Sequence, residues 1–448
     1  MHKLTLWNSL GNELQEFKPI KPGQVSIYVC GPTVYSSPHI GNFRPAIVFD
    51  VLRRLLIALG YKVTFVSNYT DVDDKIIARA KELGVKEGEL TESVIKEYAT
   101  LIDEIGCLQP DVKPRPTVYM PQIISYIEDL VKNGSAYVVD GDVYFRISSI
   151  QGYGELSGNT PEQLLNGARI EVNSKKESPI DFALWKKTDE GIQWDTVWSK
   201  GRPGWHTECC VMINSIFQDQ DGLIDIHGGG FDLKFPHHEN EMAQAKAHNH
   251  NKLAHYWLHN GFININNEKM SKSLGNVLLA KDVVAEYGGL AFRLMMLNAY
   301  YRAPVSFSDD TIKEAQVNLE KLKTTYKQVA VKLQLQGVDL SSIKKPDESA
   351  FFDAICEDLN TPNALSVLYE ESKKANQLLR SNPLNLEALE ESFVRLKDYF
   401  FVLGLGLQYP NLSQEDRALY SQYLGYKAAK DFANSDRLRG ELIAKGIL

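Results

Sequence analysis

The chain of 448 residues has few cysteines, no run of apolar residues long enough to span a bilayer, and no surplus of positive charge. Five thiols (Cys30, Cys107, Cys209, Cys210 and Cys356), odd in number and widely spaced, do not make a disulfide framework, so reduced thiols or metal ligands are expected. No Cys-x-x-Cys pair occurs. The first ten residues lack the basic region and apolar core of a secretory leader, and a soluble, cytoplasmic protein is expected. Internal repeats and low-complexity tracts are absent as well. A formal charge of -8 gives no overall attraction for nucleic acid, yet it leaves room for a local basic face. What is present is an ordinary globular composition, 44% hydrophobic and 24% charged, over a length that calls for two to four domains.

Residues 30–42 read Cys30-Gly-Pro-Thr-Val-Tyr-Ser-Ser-Pro-His39-Ile-Gly-Asn42. An apolar, β-branched run (25–29) precedes them, and a helical pattern (43–59) and a second apolar run (62–66) follow. Strand, Gly/Pro-rich turn, helix and strand is the order in which a parallel βαβ unit presents a helix N-terminus to an anion. Such a turn could hold a phosphate, a metal or both, or be a plain turn with a capping histidine. After the second strand, Thr70 falls at the carboxyl end of a central strand, where open α/β sheets bind ligands. Asp71, Asp73 and Asp74 read as helix-capping acids rather than a magnesium site.

Residues 83–131 read as helices interrupted by prolines, and 136–145 as a hairpin turning at Asp140-Gly141. Residues 150–204 show little helical period, so 116–204 reads as an insertion between two halves of a doubly wound sheet. Sheet character is expected to return over 204–210, followed by a helix and a strand at 223–226. That strand runs into His227-Gly-Gly-Gly230-Phe-Asp232, where glycines allow backbone to lie flat against a ring or phosphate, or simply form a loop. His237 and Glu241 stand four apart and share a helical face. Cys30, Cys209, His237 and Glu241 are all residue types that bind zinc, but spacing alone does not separate a metal site from buried thiols and a surface ion pair. His248, His250, His255 and His259 read as solvated or core histidines. Further on, Glu268-Lys269-Met-Ser-Lys272-Ser-Leu-Gly-Asn276 could clamp polyphosphate or be a solvated charged loop.

The pairing of the His39-Ile-Gly helix start with the distant Lys269-Met-Ser-Lys272-Ser loop resembles the two hallmarks of class I aminoacyl-tRNA synthetases. Within that class the chain resembles the cysteinyl-tRNA synthetases, through residues 28–35, 201–209, 225–230, 235–241 and 268–276, with weaker matches at 358–362 and 429–433. The resemblance implies ATP-dependent activation of L-cysteine and its transfer to tRNA-Cys. It also implies one zinc ion, held by Cys30, Cys209, His237 and Glu241, which binds the substrate thiolate and so discriminates against serine without editing. His39 and Lys272 would serve the phosphates, with magnesium accompanying ATP. Lys269, His227, Gly228 and Gly229 would complete the ATP site, and Gly31, Thr70, Trp205 and Asp232 would contact the cysteine. Asn42 departs from the family, which usually has a second histidine there; an amide donates a neutral hydrogen bond but cannot become cationic, so Asn42 is expected to keep the catalytic, phosphate-binding role in weakened form.

The implied layout is a doubly wound, Rossmann-type sheet in two halves, 1–115 and 205–265, around the insertion at 116–204. Residues 266–310 carry the lysine-serine loop and a connecting region facing the tRNA stem. A helical bundle (311–405) and a small anticodon-binding domain (406–448) follow, the latter with Lys427, Lys430, Arg437 and Arg439 on a basic face. The chain ends somewhat earlier than the family pattern, which leaves open a further RNA-contacting piece, and a monomer is expected. Two other readings remain: a cysteine ligase of this fold acting on an amino sugar, which residues 311–448 argue against, and a catalytically silent tRNA-binding protein, which His39, Lys272 and the four zinc positions argue against.

Overall fold

The computed structural model describes residues 2–167, 175–266, 268–270, 275–346 and 350–448. The chain divides into two compact units, Lys3–Gly289 with Tyr301–Phe307, and Leu290–Tyr300 with Ser308–Leu448. No helix among the described residues is long and apolar enough to cross a membrane.

The first unit is built on a parallel sheet of β1 (Gln24–Val29), β2 (Lys62–Ser67), β3 (Ile224–Gly230) and β4 (Ala254–Asn260). Among the described residues its order is β4-β3-β1-β2, with every neighbour parallel. β1 and β3 have a partner on either side and are buried almost throughout, and β1 accordingly reads as a near-continuous apolar run rather than an alternating one. Asp225 locks their register: Oδ2 accepts from Ser26 N and Oγ, each at 2.7 Å, and Oδ1 from Ile20 N at 2.6 Å. The chain runs outward from β1 to β2 and then returns to the other side of β1. The carboxyl ends of β1 and β3 therefore bound a switch-point crevice, where such sheets bind ligands.

Helix α1 (Phe43–Ala58) follows the 30–42 turn and is enclosed on most of its surface, with Arg54 paired to Asp50 at 2.8 Å. Asp73 caps the helix Asp74–Leu83 by accepting from Lys75 N and Asp74 lies in its first turn, as read, whereas Asp71 reaches away from that helix and accepts from Thr117 N. The expected hairpin forms as Ala136–Val139 and Asp142–Phe145 and belongs to an antiparallel sheet, five-stranded among the described residues, lying wholly within 116–204.

Sheet character over 204–210 is not found. A strand ends at Pro203, and helix α2 (Trp205–Ile216) begins at once with Gly204 at its N-cap. The reason is enclosure: Thr207 through Ile213 are buried without interruption, so no apolar stripe marks the helix, and Trp, Thr and Cys bias the segment toward strand. Helix α3 (Glu239–His248) is similarly buried from Glu239 to Ala245.

In the second unit, helices Asp309–Leu335, Thr361–Leu379 and Leu386–Leu403 form the expected bundle. Gln414–Ala428 and Phe432–Ala444 close a small core of Leu412, Tyr423, Leu438, Leu442 and Ile447 onto Val331 of the long helix. Lys427, Lys430, Arg437 and Arg439 are all exposed, and Arg437 pairs with Glu441 at 2.6 Å.

Candidate functional site

Cys30 is the first residue beyond β1, and its amide donates to Gly228 O of β3 at 3.1 Å, which fixes it at the switch point. Cys209 comes from the second turn of α2, and Glu241 from the first turn of α3. His237 precedes α3 in the turn Lys234–His238. These segments, far apart in sequence, bring one donor atom from each of Cys30, Cys209, His237 and Glu241 within 4.8 Å of one another. The two sulfurs lie 3.8 Å apart, Cys30 Sγ is 3.8 Å from Glu241 Oε1, and His237 Nε2 is 2.8 Å from the same oxygen. Cys210, though adjacent, turns its thiol to Glu241 O at 3.3 Å and stays outside the quartet, and burial pushes that thiol up.

A second set of donors, Cys30, His227, His238 and Glu241, satisfies the same distance criterion. Its histidines have other obligations. His227 Nε2 lies 2.6 Å from Glu241 Oε2 and its Nδ1 3.1 Å from Tyr28 O, so it steadies a ligand carboxylate. His238 Nε2 is 3.3 Å from Cys30 Sγ, while Nδ1 faces His259 Nε2 at 2.8 Å, and His259 in turn reaches Ser9 Oγ at 2.8 Å. His237 has an outer partner of its own: its Nδ1 is 3.0 Å from His206 Nδ1, and its ring stacks on Trp205 with centroids 4.0 Å apart. The two sets share Cys30 and Glu241, and the first differs in adding a second sulfur donor, Cys209, a softer set for a divalent cation.

The protons in this cluster are shared rather than settled. Burial disfavours charge on Glu241, but His227 and His237 hold its carboxyl well below the usual range. Burial likewise opposes a charged His237, and Glu241 and Cys209 raise it to about 10. The contact with Cys30 lowers Cys209 to about 6 against burial, whereas burial and Cys209 push the Cys30 thiol up, so the pair carries one thiolate between them. Burial and His237 lower His206 to about 3, which leaves a neutral ring able to accept from Nδ1–H of His237. A divalent cation would replace these protons with two thiolates, an imidazole and a carboxylate, a donor set that fits it. His206→Ala should weaken metal binding roughly 10- to 100-fold by freeing the His237 ring, as competition with a chromophoric chelator would measure.

The amino-acid side of the crevice is shaped by backbone. A Cβ on Gly31 would meet Asn68 O at 1.7 Å, so only glycine lets the two segments touch. Gly31 N donates to Asn68 Oδ1 at 2.9 Å, and Asn68 Nδ2 to Thr70 Oγ1 at 3.2 Å, while Val34 N donates to Thr70 O. Thr70 is thus brought beside Gly31. Trp205 is half-exposed and closes over His237, whereas Asp232 is exposed on the turn after β3. Glu208, enclosed beside Cys209 and hydrogen-bonded to Thr70, has its carboxyl pushed up by burial.

The phosphate side is only partly composed as expected. Asn42 Oδ1 accepts from His39 N at 2.9 Å, so that amide closes a capping box around the turn. His227, expected against ATP, is wholly enclosed and committed to Glu241. Gly228 lies inside β3, where a Cβ would strike the Phe49 ring at 2.2 Å, and this packing requires glycine before any ligand does. Gly229 is buried against Leu233 and His238. Lys272 lies outside the described residues, as does the Lys269 side chain. The neighbouring Met270 is placed: a Cβ on Gly41 would sit 2.8 Å from Met270 Cε and 2.9 Å from His39 Nδ1. His206, His238 and Asn68 escaped the sequence reading, while His259, read there as a solvated or core histidine, is buried. Two of them stand beside residues that were singled out, and adjacency to a ligand was the only signal available.

Comparison with known proteins places this geometry. The model of "tRNA synthetases class I (C) catalytic domain" matches residues 16–317, and that of the DALR domain matches residues 350–408. The chain is similar to a cysteine–tRNA ligase of Anoxybacillus flavithermus, 45% identical over 99% of the chain and 97% of the relative. It is also similar to one of a Geobacillus species, 45% identical over 100% of the chain and 97% of the relative. Among solved structures, methionyl-tRNA synthetase of Mycobacterium tuberculosis bound by methionyl-adenylate superposes with a TM-score of 0.63 at 15% identity, over 91% of this chain and 94% of that one, a likeness of fold.

Proposed function

The chain belongs to the cysteine–tRNA ligases, and from that premise we propose that it activates L-cysteine with ATP and transfers the cysteinyl group to the 3′ end of tRNA-Cys. The observation that carries the reading is the buried Cys30, Cys209, His237 and Glu241 quartet at the switch point, one turn of chain away from His39. We assign zinc to it: bound there, zinc supplies a soft Lewis acid that favours a thiolate over a hydroxyl.

Activation needs no protein nucleophile. The cysteine carboxylate attacks the α-phosphorus, a new P–O bond forms as the bond to the β-phosphate breaks, and pyrophosphate leaves. The protein supplies position and charge. Gly31 and Thr70 hold the amino acid's backbone groups, with Trp205 as a wall and Asp232 as a partner for the ammonium. His39, at the mouth of the turn that leads into α1, faces the phosphates with magnesium. Asn42 acts chiefly by holding that turn, and Gly228 and Gly229 carry the adenosine. Lys272 neutralises the departing pyrophosphate, with Lys269 beside it. Met270, which precedes the loop's second lysine by two positions, packs against Gly41. A ribose hydroxyl at the tRNA terminus then attacks the cysteinyl carbonyl and AMP leaves, while the exposed basic face at 427–439 supports tRNA binding.

Pyrophosphate exchange on protein of measured zinc content tests this. Cysteine should drive exchange, serine should be poorer by roughly 10⁴-fold, and stripping the metal should abolish exchange until zinc is restored. Exchange that survives metal removal unchanged would sink the recognition mechanism, and absence of cysteine-dependent exchange would sink the enzymatic reading.

A further inference from the structure

We propose that Glu97, which belongs to neither signature segment, is a positioning residue for ATP activation that ties the chain following the Lys272 loop to the His39 turn; the inference rests on the reading above. The turn and the descending arm meet as a short antiparallel bridge between His39 and Leu279. Ile40 N donates to Leu278 O at 3.0 Å, and Ala280 N to Pro38 O at 3.0 Å. These two hydrogen bonds are a thin attachment for segments that must address the same triphosphate.

Glu97 reinforces it from the helix Glu87–Glu104. One carboxylate oxygen, Oε2, accepts from Ser37 Oγ at 2.9 Å, two residues before His39. The other, Oε1, lies 3.9 Å from Lys281 Nζ, two residues past Leu279. One side chain therefore holds both strands of the attachment. Lys281 sits in the first turn of the helix Ala280–Tyr287, where the helix dipole disfavours a cation, so an anion there has a defined electrostatic task. Oε1 is buried and makes no hydrogen bond, and its contact with Lys281 is an ion pair longer than hydrogen-bond distance. The arm can thus be drawn about an ångström closer to the turn and gain a charged hydrogen bond when ATP engages both segments.

A half-exposed ion pair adds little to global stability, so the effect should appear in the chemistry with ATP rather than in melting. The test compares cysteine-dependent exchange by the full chain with those of Glu97→Ala and Glu97→Gln. Glu97→Ala should raise KM for ATP and lower kcat, together by roughly tenfold or more, with KM for cysteine unchanged within a factor of about two and melting temperature nearly constant. Glu97→Gln, which can still accept from Ser37 but lacks the charge opposite Lys281, should recover only part of the loss. If Glu97→Ala leaves ATP kinetics unaltered, or shifts the KM values for cysteine and ATP alike, the proposal is overturned. An unaltered chain without cysteine-dependent exchange would fail earlier, removing the reading on which the proposal stands.

Discussion

Cys209→Ala is expected to yield protein with little bound metal and to reduce cysteine-dependent exchange by roughly 10²-fold or more. The substitution removes the thiol that carries the shared thiolate, from a pocket where the remaining donors are Cys30, with its thiol pushed up by burial, a cationic His237 and a carboxylate already satisfied by two histidines. Binding a cation would then require deprotonating Cys30 without its neighbour, inside a site whose charge balance has shifted by one. The kinetic signature should be a raised KM for cysteine together with a lower kcat, because the ligand that selects the thiol also fixes its position. Metal analysis by emission spectrometry and exchange assays on the same preparation check this. Cys210→Ser is the matched comparison. Its side chain points to the Glu241 and His206 carbonyls, to which a hydroxyl can also donate, so metal content should be retained. Equal metal loss in both variants would show that helix α2 had been disrupted rather than a ligand removed.

Lys272→Ala should lower kcat for exchange by roughly 10²- to 10³-fold while leaving cysteine affinity nearly untouched. The role assigned to this side chain exists only while negative charge builds on the departing pyrophosphate, so its loss belongs to the transition state. A lysine is a compact, strongly hydrated charge on a flexible stem, and an alanine offers no substitute donor. Calorimetric titration with cysteine separates the two steps: unchanged binding with slow exchange fits the role, whereas matched losses would mean that the lysine shapes the amino-acid pocket.

The order of elements in the doubly wound half was legible because β1 and the helix after it carry strong local signals: an apolar run, then Gly and Pro, then a helical period. The hairpin at 136–145 was legible from Asp140-Gly141. Helix α2 was not. Burial from Thr207 to Ile213 erases the amphipathic period by which helices are recognised in sequence. The metal quartet shows the same division. Cys30, Cys209, His237 and Glu241 could be nominated by residue type, but only folding decides that Cys209 rather than Cys210 faces inward, and that His227 and His238 form a second donor set with Cys30 and Glu241. His206 and His259 act through hydrogen bonds to other histidines, and no spacing rule encodes such contacts. The triple glycine shows the converse, since Gly228 answers to the Phe49 ring in addition to any nucleotide.

The Asp225 lock between β1 and β3 also has a consequence for how the chain is made. Ser26 and Asp225 are 199 positions apart, which at cellular elongation rates is roughly 10 to 40 s of synthesis. Throughout that interval the nascent β1–β2 pair has an open inner edge, and Cys30 is a solitary thiol with no partner to share a cation. A cation shared by Cys30 and Cys209 can therefore be held only once Cys209 has been made, and until β3 arrives the inner edge of β1 stays unpaired.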